Sequence, residues 1–345
     1  MAVEKNKHID VSIVAPIYNE EDSIPHLVKK IHEVMSVSGK SWELVCVDDG
    51  SKDKSAEILA ALQEDYPELS PVYFRRNYGQ TAAMQAGFDH AKGDVLVTID
   101  ADLQNDPKDI PNLLEHLEKT GVDIVSGWRK NRQDAALKRN LPSKIANALI
   151  QRVTGIYLHD LGCSLKAYRR EILEDVRIYG EFHRFIPIMA SQNGATIDEV
   201  VVTHHARQFG QSKYGIDRTF RVVLDLILLK FLLTYMNRPM HAFGYLGLAL
   251  LIPGGLLGTY LTALKILGQD IGGRPLLLLA IMLVLMGVQL IGMGVLGELM
   301  MRIYHEPHGR KQYTLKRKTP KKTAPKKEAA AKGTKPATRG KKSKS

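Results

Sequence analysis

From Ala242 to Leu264 the chain runs for 23 residues, AFGYLGLALLIPGGLLGTYLTAL, without a formal charge, and from Leu276 to Gly297 for 22 more, LLLLAIMLVLMGVQLIGMGVLG. A helix rises about 1.5 Å per residue and a bilayer's hydrocarbon core is about 30 Å thick, so each run suffices to cross it. This constrains the fold more than any other feature, because residues 1–241 must form their core without these helices. The link between the runs, KILGQDIGGR (265–274), is short, so the pair reads as a hairpin anchor. Arg218, Arg221, Lys230 and Arg238 precede the first run, and Arg302 and a basic tail follow the second. The positive-inside rule then places both ends and the large leading domain in the cytoplasm.

The formal charge of +11 is unevenly spread. Residues 310–345 hold 15 Lys or Arg against one Glu, which leaves 33 basic and 36 acidic side chains in residues 1–309. The body is therefore mildly acidic, and no nucleic-acid partner is expected of it. The tail lacks apolar residues to bury and should be disordered, as a solvated extension, a nucleic-acid arm or an arm for an anionic lipid surface. Cys46 and Cys163 stand in apolar, strand-like settings without metal-ligand spacing, which fits buried free thiols and gives zinc no support. The charged start MAVEKNKHID and the short run VSIVAPI do not make a signal peptide; VSIVAPI reads as a first strand.

Between these ends the pattern alternates. Residues 9–17, 43–48, 71–75, 94–99 and 123–127 have strand-like content, and residues 22–37, 53–65, 80–91 and 107–119 carry helical apolar spacing. That order predicts an α/β fold: βαβ units and a mostly parallel sheet with helices on both faces. Ligands of such sheets bind beyond the carboxyl ends of the strands. All five strand candidates end in polar residues, PIYNE, DDGS, RRNYGQ, DADLQ and GWR, which points to one shared crevice. Further on, LPSKIANALIQRVTG reads as helix, HDLGCSLKAYRR as loop into strand, ATIDEVVVTHHAR as strand and RQFGQSKYG as a basic loop. The predicted layout is a domain at 1–215, an amphipathic interfacial helix at 216–238, the hairpin at 239–303 and the tail at 304–345.

The segment TIDADLQNDP (98–107) follows a buried-looking strand. If its backbone stays extended, Asp100 and Asp102 point the same way, and Gln104 with them. Two converging carboxylates without nearby Cys or His suit a hard cation, Mg²⁺ or Mn²⁺. Asp106 before Pro107 reads instead as a helix N-cap. His204 and His205, neighbours on a strand, must face opposite ways and form no metal pair. Trp42 reads as packing, and Gly254 and Gly258 form a GxxxG pattern, a weak sign of close helix contact.

IVAPIYNEEDSI, ELVCVDDGSKDKS, RRNYGQTAAMQAGFDHAKGD and TIDADLQNDP, in this order, resemble family 2 glycosyltransferases with the GT-A fold. DIVSGWRKNR, LPSKIANALIQRVTG, HDLGCSLKAYRR and RQFGQSKYG narrow the resemblance to the polyprenyl-phosphate glycosyltransferases, the group of dolichyl-phosphate mannose synthase and its bacterial undecaprenyl-phosphate counterparts. It spans residues 9 to about 300. The resemblance implies a donor site for a UDP- or GDP-linked sugar formed by Pro16, Tyr18, Glu20, Val47, Asp49, Gly79, Asp100 and Ala101, with Asp48 holding a loop. It implies a metal and diphosphate site at Asp100, Asp102 and Gln104. The acceptor, a polyprenyl phosphate, carries nearly two negative charges at neutral pH. Arg129 is the first candidate to bind it, followed by Arg139, Ser143, Arg207, Ser212 and Lys213, because the guanidinium fork matches phosphate oxygens.

A phosphate oxygen needs little help from a base, so inversion by direct displacement is expected, with charge neutralisation supplying most of the acceleration. Asp160 is given an orienting role or that of an optional base. The catalytic set is thus Asp102, Arg129 and Asp160. A homo-oligomer is compatible with this layout. Two readings compete. A processive polysaccharide synthase is expected to show a Q-x-x-R-W motif and more spans, whereas Trp42 and Trp128 are the only tryptophans and neither follows Arg. A non-catalytic, membrane-tethered nucleotide-sugar scaffold would not need the Asp100/Asp102 pair.

Overall fold

The computed structural model describes residues 8–130, 155–206 except 175, 177, 179 and 181, and 238–305 except 274, with Gln151, Leu228, Lys230, Phe231, Thr234 and Tyr235 besides. Chain contacts divide the protein into Met1–Gln312 and Tyr313–Ser345. The second unit, the expected helix at 141–155 apart from its last residue and Gln151, and most of the expected interfacial helix lie outside the described residues.

Seven strands form one sheet: β1 Val11–Ile17, β2 Trp42–Asp48, β3 Leu69–Tyr73, β4 Val95–Thr98, β5 Ile124–Trp128, β6 Lys166–Arg169 and β7 Ile197–Val201. Their order across it is β3-β2-β1-β4-β6-β5-β7. All neighbours pair in parallel except β6, which runs antiparallel to both β4 and β5. The five strands expected up to residue 127 are present with ends shifted by no more than two residues. Helices α1 Ile24–Ser36, α2 Ser55–Asp65, α3 Gln80–His90 and α4 Ile110–Thr120 connect them. Two shorter helices, α5 Arg170–Glu174 and α6 Ile186–Gln192, flank a 3-10 turn at Phe182–Phe185.

Alternation along the strands divides the core between the two faces. Ile13, Ala15, Leu44, Cys46, Val97 and Val125 pack on one face with α1 and α4, whose buried stripes are Ile24, Leu27, Ile31 and Ile110, Leu113, Leu117. Val14, Val45, Val47, Leu96 and Ile124 pack on the other with Ala83, Met84 and Phe88 of α3. Trp42 contacts His32 edge-on at 5.9 Å, as a packing residue should. The second polar turn needs its glycine. Gly50 has φ +65°, and a Cβ there would stand 2.4 Å from the Arg76 backbone carbon.

The late apolar runs form α7 Pro239–Ile266 and α8 Pro275–His305, an antiparallel hairpin. Their apolar cores have mean hydropathy 1.6 and 2.6, and large side chains such as Leu256, Tyr260, Leu278 and Leu296 are exposed. The seam is made of glycines. A Cβ on Gly247 would come 2.8 Å from Gly287 O, and one on Gly287 would come 2.8 Å from Gly247 O. Gly254 likewise packs against Leu283 and Val284. The expected GxxxG contact holds only in part, since Gly258 has nothing within 4 Å of its Cβ position.

Candidate active site at the carboxyl ends of the strands

β1 and β2 end side by side, with Ile17 opposite Asp48. The two loops that follow are stitched together. Asn19, in the left-handed region at φ 53°, donates its N–H to Ser51 Oγ at 2.9 Å and accepts from Lys52 N at 2.8 Å. Glu20 N donates to Ser55 Oγ at 3.0 Å, and its carboxylate accepts from Ser23 Oγ at 2.9 Å. Tyr18, Glu20 and Pro16 are half-buried at this rim. Asp48 accepts from Ser51 N at 3.3 Å, the loop-holding part expected of it.

Asp49 sits differently from a free base-binding carboxylate. Its two oxygens accept from Tyr78 N at 2.6 Å and Gly79 N at 2.9 Å, so it ties the loop after β3 to the end of β2. Burial pushes its carboxyl up, and the two backbone N–H groups oppose that. Each oxygen has a second lone pair for a ligand. The side chains of Val47 and Ala101 lie in the core, so only their backbone can meet a ligand.

The DADLQ segment departs from expectation in its backbone. β4 ends at Thr98, and residues 101–103 form a turn with Leu103 at φ 58°, buried in the core. Alternation along an extended strand is therefore not what brings Asp100 and Asp102 together; the turn does. Their proximity shows in the electrostatics. Burial, and next the charge of Asp102, push the Asp100 carboxyl up to about 6, against a hydrogen bond from Ser164 and the charges of Arg129 and Arg184. Asp100 also accepts from Gln80 Nε2 at 2.8 Å, while Asp102 accepts from Gln104 N at 3.2 Å. Two half-buried carboxylates that repel each other fit a divalent cation, whose charge would relieve the repulsion. Among the described residues no cluster of three or more His, Cys, Asp or Glu offers a thiolate or imidazole alternative.

Arg129 and Asp160 are brought together, but onto each other. Arg129 donates from Nε to Asp160 Oδ2 at 2.7 Å and from Nη2 to Oδ1 at 3.0 Å, with side chains only 10% and 7% exposed. Burial works against the guanidinium's charge, and the hydrogen bonds and charge of Asp160 outweigh it. Asp160 also accepts from Gly162 N at 3.2 Å. Arg129 thereby gives two of its five N–H donors to Asp160, the geometry that an orienting role for Asp160 calls for. Arg139, Ser143, Arg207, Ser212 and Lys213 lie outside the described residues.

The turn is also braced by the segment that follows β7. Asn105 bridges to His204, His205 N donates to Gln104 O at 2.8 Å, and His205 Nε2 meets Asp106 Oδ2 at 3.0 Å. Asp106 caps the turn at Pro107–Asp109 through Lys108 N at 3.0 Å, as expected of it. Burial raises the Asp106 carboxyl, but the hydrogen bonds from His205 and Lys108 N bring it below its ordinary value. His204 is buried and His205 half-buried, but both lie beyond the end of β7, so the expected strand does not reach them.

With the geometry in place, comparisons decide the class. A family model described as "Glycosyl transferase family 2" matches residues 12–177. A dodecaprenyl-phosphate galacturonate synthase of Rhizobium johnstonii is 46% identical over 312 residues, covering 89% of this chain and 92% of that protein. The chain belongs to glycosyl transferase family 2. An undecaprenyl-phosphate 4-deoxy-4-formamido-L-arabinose transferase of Pseudomonas aeruginosa is 40% identical to this family 2 glycosyltransferase, over 89% of each chain. Among solved structures, glucosyl-3-phosphoglycerate synthase from Mycobacterium tuberculosis, in complex with UDP, matches with TM-score 0.51 and 21% identity over 64% of this chain and 80% of its own. That likeness bears on the fold alone and agrees with the expected GT-A architecture.

Other site residues of this family 2 glycosyltransferase were not singled out from sequence. Gln80 and Ser164 hold Asp100, and Asn105 Nδ2 donates to Ser164 Oγ at 2.8 Å. Lys166 is buried on the carbonyl oxygens of Leu161 and Cys163, and burial lowers its amine. Gln80 and Ser164 lie inside the motifs RRNYGQ and CSLK, so their position was visible although their partner was not.

Proposed function

We infer that this protein is a membrane-anchored glycosyltransferase that moves a sugar from a nucleotide diphosphate to a polyprenyl phosphate, giving polyprenyl-phosphate-sugar and a free nucleotide. The single observation that carries this reading is the two-fold match of the chain to relatives that act on dodecaprenyl and undecaprenyl phosphate, covering both the catalytic domain and the hairpin. Tyr18, Glu20 and the Asp49-braced loop receive the nucleoside. Asp100 and Asp102, with Gln104 beside them, hold Mg²⁺ or Mn²⁺, which neutralises the leaving diphosphate when bound. Gln80 and Ser164 keep the Asp100 carboxylate oriented, and Gly79 opens α3 toward the same space. The acceptor oxygen attacks the anomeric carbon as the bond to the diphosphate breaks, so configuration inverts.

Arg139, Ser143, Arg207, Ser212 and Lys213 are proposed for the acceptor phosphate. The Arg129–Asp160 pair is proposed as the rigid wall of the acceptor side rather than as free cation and base. The catalytic domain and both chain ends face the cytoplasm, where nucleotide sugars are made, and the hairpin keeps the crevice at the height of the lipid headgroup.

The test is transfer. Protein purified in detergent is incubated with Mg²⁺ or Mn²⁺, undecaprenyl phosphate and UDP- and GDP-linked sugars, galacturonic acid and 4-deoxy-4-formamido-L-arabinose among them. Labelled lipid from one donor, absent with Asp102→Asn, is expected. Nucleotide binding without transfer to any lipid phosphate would favour the scaffold reading.

A further inference from the structure

Among the described residues, three basic side chains around the strand ends are already engaged. Arg129 is on Asp160, Lys166 on two carbonyl oxygens, and Arg76 over the Tyr78 ring at 4.5 Å. Arg184 is different. It lies in the 3-10 turn Phe182–Phe185, which is pinned by the buried rings of Phe182 and Phe185. The neighbouring His183 Nδ1 meets Thr81 Oγ1 at 2.8 Å, and Thr81 follows Gln80, the residue that donates to Asp100. These fixings bring Arg184 near enough for its charge to act on Asp100. Arg184 is half-buried, and among the described residues it makes no hydrogen bond or ion pair.

A guanidinium held partly out of water without an acid partner is costly, and its planar donors match phosphoryl oxygens. The expected phosphate ligand, Arg129, meanwhile gives Nε and Nη2 to Asp160. We propose that Arg184 binds a phosphoryl group at the reacting centre, beside the Asp100/Asp102 turn. This rests on the lipid-phosphate glycosyltransferase reading. Two phosphoryl groups meet there, the donor's diphosphate and the acceptor's monoester, and one cation suits either.

The experiment uses the full chain in detergent at saturating Mn²⁺, comparing Arg184→Gln and Arg184→Lys with wild type. It reads kcat and KM for each substrate, melting temperature, and the calorimetric affinities of UDP, GDP and inorganic phosphate. Loss of one charged hydrogen-bonding partner predicts kcat/KM about 10- to 100-fold lower in Arg184→Gln at unchanged melting temperature, partly restored in Arg184→Lys. A raised KM for the lipid phosphate with nucleotide affinity intact assigns the monoester; a weakened nucleotide assigns the diphosphate. Kinetics within twofold of wild type, or a loss matched by a fall in melting temperature, would overturn the proposal. If the wild type transfers nothing, the functional reading fails, and the binding arms still decide Arg184: unchanged affinity for nucleotide and phosphate in Arg184→Gln refutes it.

Discussion

Asp100 holds its proton more tightly in the folded protein than its ordinary value of 3.8 allows, up to about 6. A raised acid stabilises the fold in its protonated form, so this contribution is complete below about pH 4 and is lost as pH rises through about 6. Asp100→Asn in chelator-treated protein should therefore raise the melting temperature by roughly 2–4 °C at pH 7.5 and leave it nearly unchanged at pH 4. Binding of Mn²⁺ to the wild type, followed by calorimetry, should weaken as pH falls below 6, because the cation competes with that proton. The Arg129–Asp160 pair makes the opposite kind of demand. Removing one member strands a buried charge, so Asp160→Ala and Arg129→Ala should each cost about 3–5 kcal/mol in denaturant unfolding. The double variant should cost much less than their sum, as a double-mutant cycle would show. Residue types were legible here and partnerships were not. The carboxylates of DADLQ announce a cation site, but nothing in the letters says that Leu103 turns the backbone, or that the arginine of GWR is claimed by an aspartate 31 residues away.

At the scale of elements, periodicity carried the reading. Strands β1 to β5 and the four long helices follow from apolar spacing, because each buries a face whose repeat is set by its own geometry. β6 was located as a strand, but its direction was not legible, since four residues, Lys166–Arg169, serve equally well parallel or antiparallel. The hairpin shows the same boundary. Two uncharged runs declare two helices, yet the glycines that meet the facing helix are Gly247 and Gly254 on one side, seven residues apart, and Gly287, Gly294 and Gly297 on the other, rather than Gly254 and Gly258 at the GxxxG spacing. A seven-residue repeat is that of left-handed packing. Gly247→Leu should drive a side chain into Ile291 and the Gly287 carbonyl, lowering the melting temperature in detergent and the yield of folded protein. Gly258→Leu, with open space at its Cβ, should change neither. Equal losses in the two variants would refute the seam.

For the whole molecule, anchorage makes the encounter of enzyme and acceptor two-dimensional. At fixed bulk concentrations, raising detergent in mixed micelles should lower the initial rate as the lipid phosphate is diluted over more surface. The rate of donor hydrolysis in the absence of acceptor should not follow. Deleting residues 310–345 should leave transfer in detergent within about twofold of wild type, since the acidic body holds every residue proposed for the donor site; a loss of Mn²⁺-dependent nucleotide binding would count against that.

The sheet order has one more consequence, for how the gene can be cut. In chain order strands β1 to β4 come first and β5 to β7 follow, but β6 sits between β4 and β5. A break in the connection after α4, near Gly121, thus yields two pieces that each expose one matching edge, β4 on the first and β6 on the second. Crossing that edge are Thr98 Oγ1 to Ser164 O at 2.6 Å and Arg170 Nε to Gly93 O at 2.7 Å. Recombinant exchange of sugar specificity between relatives at this point has to carry both edges as a matched set, and the two fragments of one parent are natural candidates for split-protein reassembly.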